Sequence, residues 1–308
     1  MPEVCVFSPS PILTVTVEGN DDEPDQIHLH AGGQGVWVAR MIRQVDIPVR
    51  LVGCFGGETG LVSRLLVESE GIDVSCVELG GESSAYVHDR RGGEREEIAT
   101  MPFLHLDRHA LDELYSTTIA AALEAGVCVL AGVPDPDALP AETYQRLASD
   151  LRTNGATVIA DLHGSQLRSA LEGGISSLKV SHEELESDGL LEPDADLAGL
   201  IAAGEQLHKM GADEVVISRA DQPAVASVDG EWCEVRGPEM QVVDHRGAGD
   251  SMTALLAAGA ALGLDRHHTI RLAAGAGGLN VTRHGLATGH LDAIRQLAER
   301  VEIVRVAV

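Results

Sequence analysis

VVDHRGAGDSMTALLAAG, residues 242–259, runs from a β-branched pair through a turn of small residues into an apolar run. Its first three residues predict a strand end, and SMTALLAAGAALG predicts a helix. Gly247, Ala248 and Gly249 are small, so their backbone N–H groups can approach a ligand closely, and a helix N-terminus adds partial positive charge. Such a turn makes an anion site. A carboxylate beside it, Asp250, is placed to take a proton from a hydroxyl while the site holds a transferring phosphoryl group. Asp is also among the best helix N-caps. The stretch alone leaves base and cap open.

Upstream, short apolar runs alternate with helical patterns. VCVLAGV (127–133), TVIADL (157–162), SLKVS (177–181) and EVVIS (214–218) predict buried strands. PAETYQRLASDLRTNG (140–155), SQLRSALEGG (165–174), HEELES (182–187) and DADLAGLIAAGEQLHKMG (194–211) predict the helices between them. Fully apolar strands separated by helices predict an α/β fold, with a parallel sheet covered on both faces. ILTVTVE (12–18) and SAYVHDRRGGEREEIA (84–99), a hairpin pattern with Gly92-Gly93 near its turn, are too polar for central strands. They predict a small second sheet, a lid or an oligomer surface. No repeat or linker divides residues 1–308, which read as a single domain.

Composition sets the outer limits. The 308 residues are 44% hydrophobic but only 3% aromatic, so the core must come from Ala, Val, Leu and Ile. A net charge of −26 argues against nucleic acid or an anionic membrane as partner. The five cysteines are far apart and lack metal-ligand spacing, so most read as small core residues in a reducing compartment. No signal peptide or membrane-spanning run is visible, and the expectation is a soluble, cytoplasmic protein.

A second small-residue cluster, HAGGQGVWVARMI (30–42), places Gly32, Gly33 and Gly35 just before a helical pattern. Close approach to a substrate and a simple tight turn are both open. A dinucleotide fingerprint is not supported, because the last glycine and the following acidic residue are missing. No GxxxxGK[ST] loop occurs anywhere in the chain.

Taken in order, an early GG-x-G helix start, a polar hairpin, a run of βα units and a late GAGD resemble the ribokinase/PfkB family of carbohydrate kinases. The nearest likeness is to its 1-phosphofructokinase and tagatose-6-phosphate kinase branch. The blocks are SPILTVTV (10–17), AGGQGVWVA (31–39), GCFGGETG (53–60), LAGVPDPDALPAETY (130–144), VIADLHGSQL (158–167), LKVSHEEL (178–185) and VVDHRGAGDSM (242–252), spread over nearly the whole chain. The resemblance implies a three-layer ribokinase-like fold with a small β lid at about residues 11–35 and 82–100. It implies Asp250 as the base, with Gly247, Ala248 and Gly249 as the anion hole. Lys179, Ser181, Glu184 and Ser218 fall on the nucleotide side, Glu184 helping to organise Mg²⁺ and its waters. Thr14, Gly32, Gly33, Gln34, Gly35 and Trp37 fall on the substrate side.

The departures from the pattern concentrate around the substrate. The sugar-binding Asp of the N-P-A-L-D motif is Thr14, the Lys of GGKGxN is Gln34, and its Asn is Trp37. A hairpin Arg falls on Ser84, the Thr of D-T-x-GAGD is His245, and the Asn of K-P-N is Ser181. The turn that usually lies near the nucleotide, Ser218 to Pro223, has no glycine. Loss of two charge-assisted hydrogen bonds, each worth roughly 1.5–3 kcal/mol, disfavours the usual phosphorylated sugar. The expected activity is ATP- and Mg²⁺-dependent phosphorylation of a hydroxyl on a sugar or sugar-like alcohol. The acceptor is either a ketohexose phosphate, as branch membership implies, or an unphosphorylated or unusual one, as the lost cations suggest. A catalytically weakened sensor or scaffold is the alternative, and a homodimer is implied by the resemblance. His163, at a strand end, reads as an ordinary hydrogen-bonded residue.

Overall fold

The computed structural model describes residues 2–20, 23–103, 105–135, 138–283 and 285–306. In chain order the first elements are β1 (Val4–Phe7), β2 (Ile12–Asn20), β3 (Glu23–Gly32), α1 (Gln34–Gln44), β4 (Val49–Phe55), α2 (Gly57–Ser69) and β5 (Asp73–Glu78). Next come β6 (Ala85–Asp89), β7 (Glu96–Met101), α3 (Arg108–Ala125), β8 (Val127–Ala131), α4 (Glu142–Thr153), β9 (Thr157–Asp161), α5 (Gly164–Gly173), β10 (Ser177–Ser181) and α6 (His182–Ser187). The remainder is α7 (Leu197–Met210), β11 (Val215–Arg219), β12 (Gln222–Val228), β13 (Glu231–Arg236), α8 (Ala248–Leu262), α9 (Arg266–Asn280), α10 (Leu291–Ala298) and β14 (Glu302–Arg305).

Among the described residues the large sheet has ten strands, in the order β14-β13-β12-β11-β10-β9-β8-β1-β4-β5. From β5 to β11 every pairing is parallel, and β12, β13 and β14 add an antiparallel edge. Side chains alternate across the sheet. Cys5, Phe7, Cys128 and Leu130 point into one core, with Leu114 of α3, Leu147 of α4, Leu167 of α5 and Leu207 of α7. Val4, Val6, Val127 and Val129 point into the other, with Met41 of α1, Leu256 of α8, Ala273 of α9 and Ile294 of α10. Both faces of each central strand are buried, which is why these strands are apolar throughout rather than alternating. No helix among the described residues is long and apolar enough to cross a membrane.

The chain leaves β1 for β4 and β5 on one side, then fills the other side from β8 onward. Strand order reverses at β1, and a sheet of this kind opens a ligand crevice at such a point, beyond the carboxyl ends of its strands. The small sheet, ordered β3-β2-β6-β7, stands apart from the large one. Its strands occupy 12–32 and 85–101, so Gln34 and Gly35 belong to α1 and not to the lid. Residues 242–244 are not a strand end. Val242 and Val243 are exposed, and the backbone N–H groups of Val243 and Asp244 bond the Val281 carbonyl just past α9 rather than a sheet neighbour.

Candidate active site

A buried ion pair joins the end of β9 to the middle of β10. Parallel register places Lys179 of β10 beside Asp161 of β9, with Nζ 3.4 Å from Asp161 Oδ1. The other oxygen, Oδ2, accepts a 2.7 Å bond from Thr253 Oγ1, one turn into α8. Both members of the ion pair are nearly inaccessible to water.

Helix α8 supplies the third member. Its N-cap is Gly247, in the left-handed region at φ 77°, so Asp250 is the third helical residue and not the cap. A Cβ on Gly249 would collide with Lys179 Nζ, so only glycine allows the ammonium this close to the helix start. Lys179 and the helix N-terminus thus bring positive charge to one point, a setting for anionic phosphate. Burial, reinforced by Asp161 and Glu184 and opposed by Lys179, pushes the Asp250 carboxyl up to about 7. Burial raises Asp161 as well. Burial works against the Lys179 charge, yet Asp161, Glu184 and Asp250 together hold it above its usual range.

Glu184 is positioned by a capping box. Ser181 Oγ accepts from the Glu184 N–H, while Glu184 Oε2 accepts from the Ser181 N–H at 2.7 Å and from its hydroxyl at 2.8 Å. That S-x-x-E pattern is the local reason α6 starts where it does. Ser218 pairs across the sheet with Ser181, and its carbonyl lies 3.4 Å from His182 Nδ1. Beyond it, Ala220 sits at φ 45°, a conformation that favours glycine. No group of three or more metal-type side chains is assembled among the described residues. Glu184, whose bonds to Ser181 use Oε2 alone, still fits a hard cation held jointly with phosphate and water, since Mg²⁺ sites commonly use only one or two carboxylates.

On the lid side, Gly33 caps α1, and Gly35 lies so close to Ser8 that a side chain there would clash. The half-buried Trp37 packs on the core and sets its indole beside Gly32 and Thr14. Gln34 accepts a 2.7 Å bond from the Gly132 N–H, past the end of β8. Ser84 is buried, with its hydroxyl 3.3 Å from that of Ser10. The two positions where the resemblance expects cations are therefore neutral and already hydrogen-bonded within the protein.

The structure gathers Asp250, Gly249, Lys179 and Glu184 into one cluster, with Gly247 and Ala248 at its helix start. Thr14, Gly32, Trp37 and Gln34 stand on the lid side. Three members went unnoticed in the sequence. Asp161 lies two residues before His163, which is exposed and caps α5 without a side-chain bond. Thr253 bonds Asp161, and the buried Asn280 holds the turn before α8 by donating 2.7 Å to the Arg246 carbonyl and accepting 2.9 Å from the Ala287 N–H. A polar residue at the buried end of each apolar run was the available signal.

The layered sheet, its small-sheet lid and the charged helix start define a class, the ribokinase-like small-molecule kinases. A model of the pfkB family carbohydrate kinases matches residues 6–293, and the chain belongs to that family. It is a phosphotransferase whose acceptor is an alcohol group of a sugar. It is similar to the 1-phosphofructokinase of Bacillus subtilis, 26% identical over 277 residues, covering 90% of this chain and 89% of that one. It also resembles the ATP-dependent 6-phosphofructokinase isozyme 2 of Mycobacterium tuberculosis, 25% identical over 313 residues, covering 97% of this chain and 89% of that one. The structure of Escherichia coli phosphofructokinase-2 in complex with fructose-6-phosphate matches with a TM-score of 0.81 at 22% identity, covering 97% of this chain and 99% of that one.

Proposed function

We propose that this kinase transfers the γ-phosphoryl group of ATP to a hydroxyl of a sugar-type acceptor, with Asp250 as general base. The observation that carries this reading is the burial of Asp250 beside Lys179 at the start of α8, a setting that pushes its carboxyl up to about 7. A base poised near neutrality is ionised often enough to act and basic enough to accept a proton. Asp250 takes the hydroxyl proton as the acceptor oxygen bonds to the γ-phosphorus. The bond from that phosphorus to the ADP oxygen breaks, giving sugar phosphate, ADP and a proton on the carboxyl. The first N–H groups of α8 and the Lys179 ammonium stabilise charge on the transferring group without reorganising. Mg²⁺, when bound with ATP, would offset triphosphate charge, and Glu184 is the side chain that would hold it and its waters.

Gln34 and Ser84 make the acceptor side differ from the cationic pattern of the family, so the acceptor is recognised by other groups. A reducing, cytoplasmic setting suits five free cysteines. A second copy of the chain is the partner we infer for the outer face of the small sheet. Register puts Val15, Val17, Ile27, Leu29 and Val87 on that one face, and Ile27 and Leu29 are 68% and 46% exposed. A contiguous apolar patch of this kind marks an interaction surface.

The function is tested by incubating wild type and Asp250→Asn with ATP-Mg²⁺ and a panel of sugars, polyols, nucleosides, sugar acids and sugar phosphates. Product from wild type, lowered by about 10²- to 10⁴-fold in the variant, is expected. Absence of turnover on every acceptor, together with undetectable nucleotide binding, would overturn the reading.

A further inference from the structure

Four arginines lie in or beside the lid, and three are committed. Arg40 forms a two-point pair with Glu70 at 2.5 and 2.7 Å, Arg90 meets Glu18 at 3.2 Å, and Arg91 meets Asp89 at 2.6 Å. Arg95 has no carboxylate within ion-pair distance among the described residues. Its Nη2 lies 2.5 Å from His88 Nε2 instead. A guanidinium can only donate, so Nε2 accepts and the ring proton sits on Nδ1. His88 is 4% exposed, and its Nδ1 has no hydrogen-bond partner among the described residues. An orphaned N–H at this depth costs stability, and a bound acceptor atom is the direct way to satisfy it.

Strand register places His88 on the lid face shared by Thr14, Thr16, His28, His30 and Tyr86. That is the face carrying Thr14 beside Trp37, and it is opposite the apolar one. Arg246, two residues before Ala248, is close enough to act electrostatically on both His88 and Arg95. Asp244 binds Arg246 through Nε and Nη2 and leaves Nη1 without a protein acceptor among the described residues. Glu97 and Asp244 also face Arg95. Partial burial, then Arg246 and Arg90, outweigh those acids and hold Arg95 below the usual guanidinium range.

We propose that His88, Arg95 and Arg246 form an anion site where the lid meets the catalytic loop, holding a phosphate or carboxylate carried by the acceptor. This rests on the kinase reading for the acceptor's place beside Asp250. It assigns anion recognition to three residues outside the motif positions, whose cations are absent here.

The test is calorimetric binding of D-fructose 6-phosphate, D-fructose 1-phosphate and D-gluconate, each against D-fructose. Wild type, Arg95→Gln and Arg246→Gln are compared, with exposed Arg108→Gln as a charge control. At least one anionic ligand is expected to bind wild type about tenfold or more tightly than fructose. Both site variants should lose roughly 10- to 100-fold for that ligand and the control nothing. The phosphate and gluconate arms separate ester from carboxylate. Anionic ligands that bind no better than fructose, or as well to both site variants as to wild type, would overturn the site. Arg95-dependent binding with no phosphorylation of any acceptor and no detectable nucleotide binding would uphold the site and sink the kinase reading. Turnover on neutral sugars with no anionic binding would do the reverse.

Discussion

The two sides of the crevice are built differently. Around Asp250 the charges are buried and their partners come from separate elements, with β9, β10, α6 and α8 each contributing one or two side chains. On the lid side the sheet is largely exposed, and the motif positions there are neutral, with Gln34 bonded to Gly132, Ser84 to Ser10 and Trp37 packed on the core. A transferring phosphoryl group is the same whatever the acceptor, so the centre that holds it has little freedom to vary. The acceptor differs from one kinase to another, and in the proposed reading its contacts come from the small sheet and the start of α1, at the margin of the main cores.

Breaking the buried side should have the largest effect. Lys179→Met removes a charge from the transfer site and leaves Asp161 unpaired in the interior. Steady-state kinetics should show kcat reduced by about 10²- to 10³-fold, and thermal unfolding should show a lower midpoint, because removing one partner of a buried pair strands the other. Next comes the pH dependence of stability. The folded pKa of Asp250 is raised from 3.8 to about 7, so the folded protein binds this proton more readily than the unfolded chain does. Its contribution is fully present below the unfolded value and is lost as pH rises through about 7. Asp250→Asn should therefore stabilise the ligand-free protein, by more at pH 8 than at pH 5, in melting curves of both proteins. The mildest effect belongs to the lid. Replacing Ile27 and Leu29 together with Asp should leave the protein monomeric in sedimentation experiments in which wild type is expected to run as the proposed dimer, with each protomer still folded.

Much of the fold was legible because the central strands are buried on both faces and the helices carry their own end signals. Ser181 and Glu184 form the capping box their spacing encodes, and Pro140 and Gly155 bracket α4 as the sequence predicts. Val242 and Val243 misled because β-branched residues suit strands in general, whereas here an isolated backbone contact to Val281 holds an exposed loop. Asp250 was readable as base or cap, and the position of Gly247 as N-cap decides against the cap. Asp161 stayed hidden because its partners lie 18 and 92 residues away. Periodicity marks which side of a strand a residue faces, not what waits there. The contact of Arg95 with His88 depends on a hairpin register that contains a bulge between Val87 and His88, which spacing alone does not reveal.

The most direct test of Asp250 as the proton acceptor is the pH dependence of kcat/KM from pH 5.5 to 8.5, on ATP-Mg²⁺ and the best acceptor of the panel. The expected profile rises about tenfold per pH unit on its acid side and levels off above about 7, as a base with the pKa of Asp250 requires. A profile that stays flat across this range would contradict it.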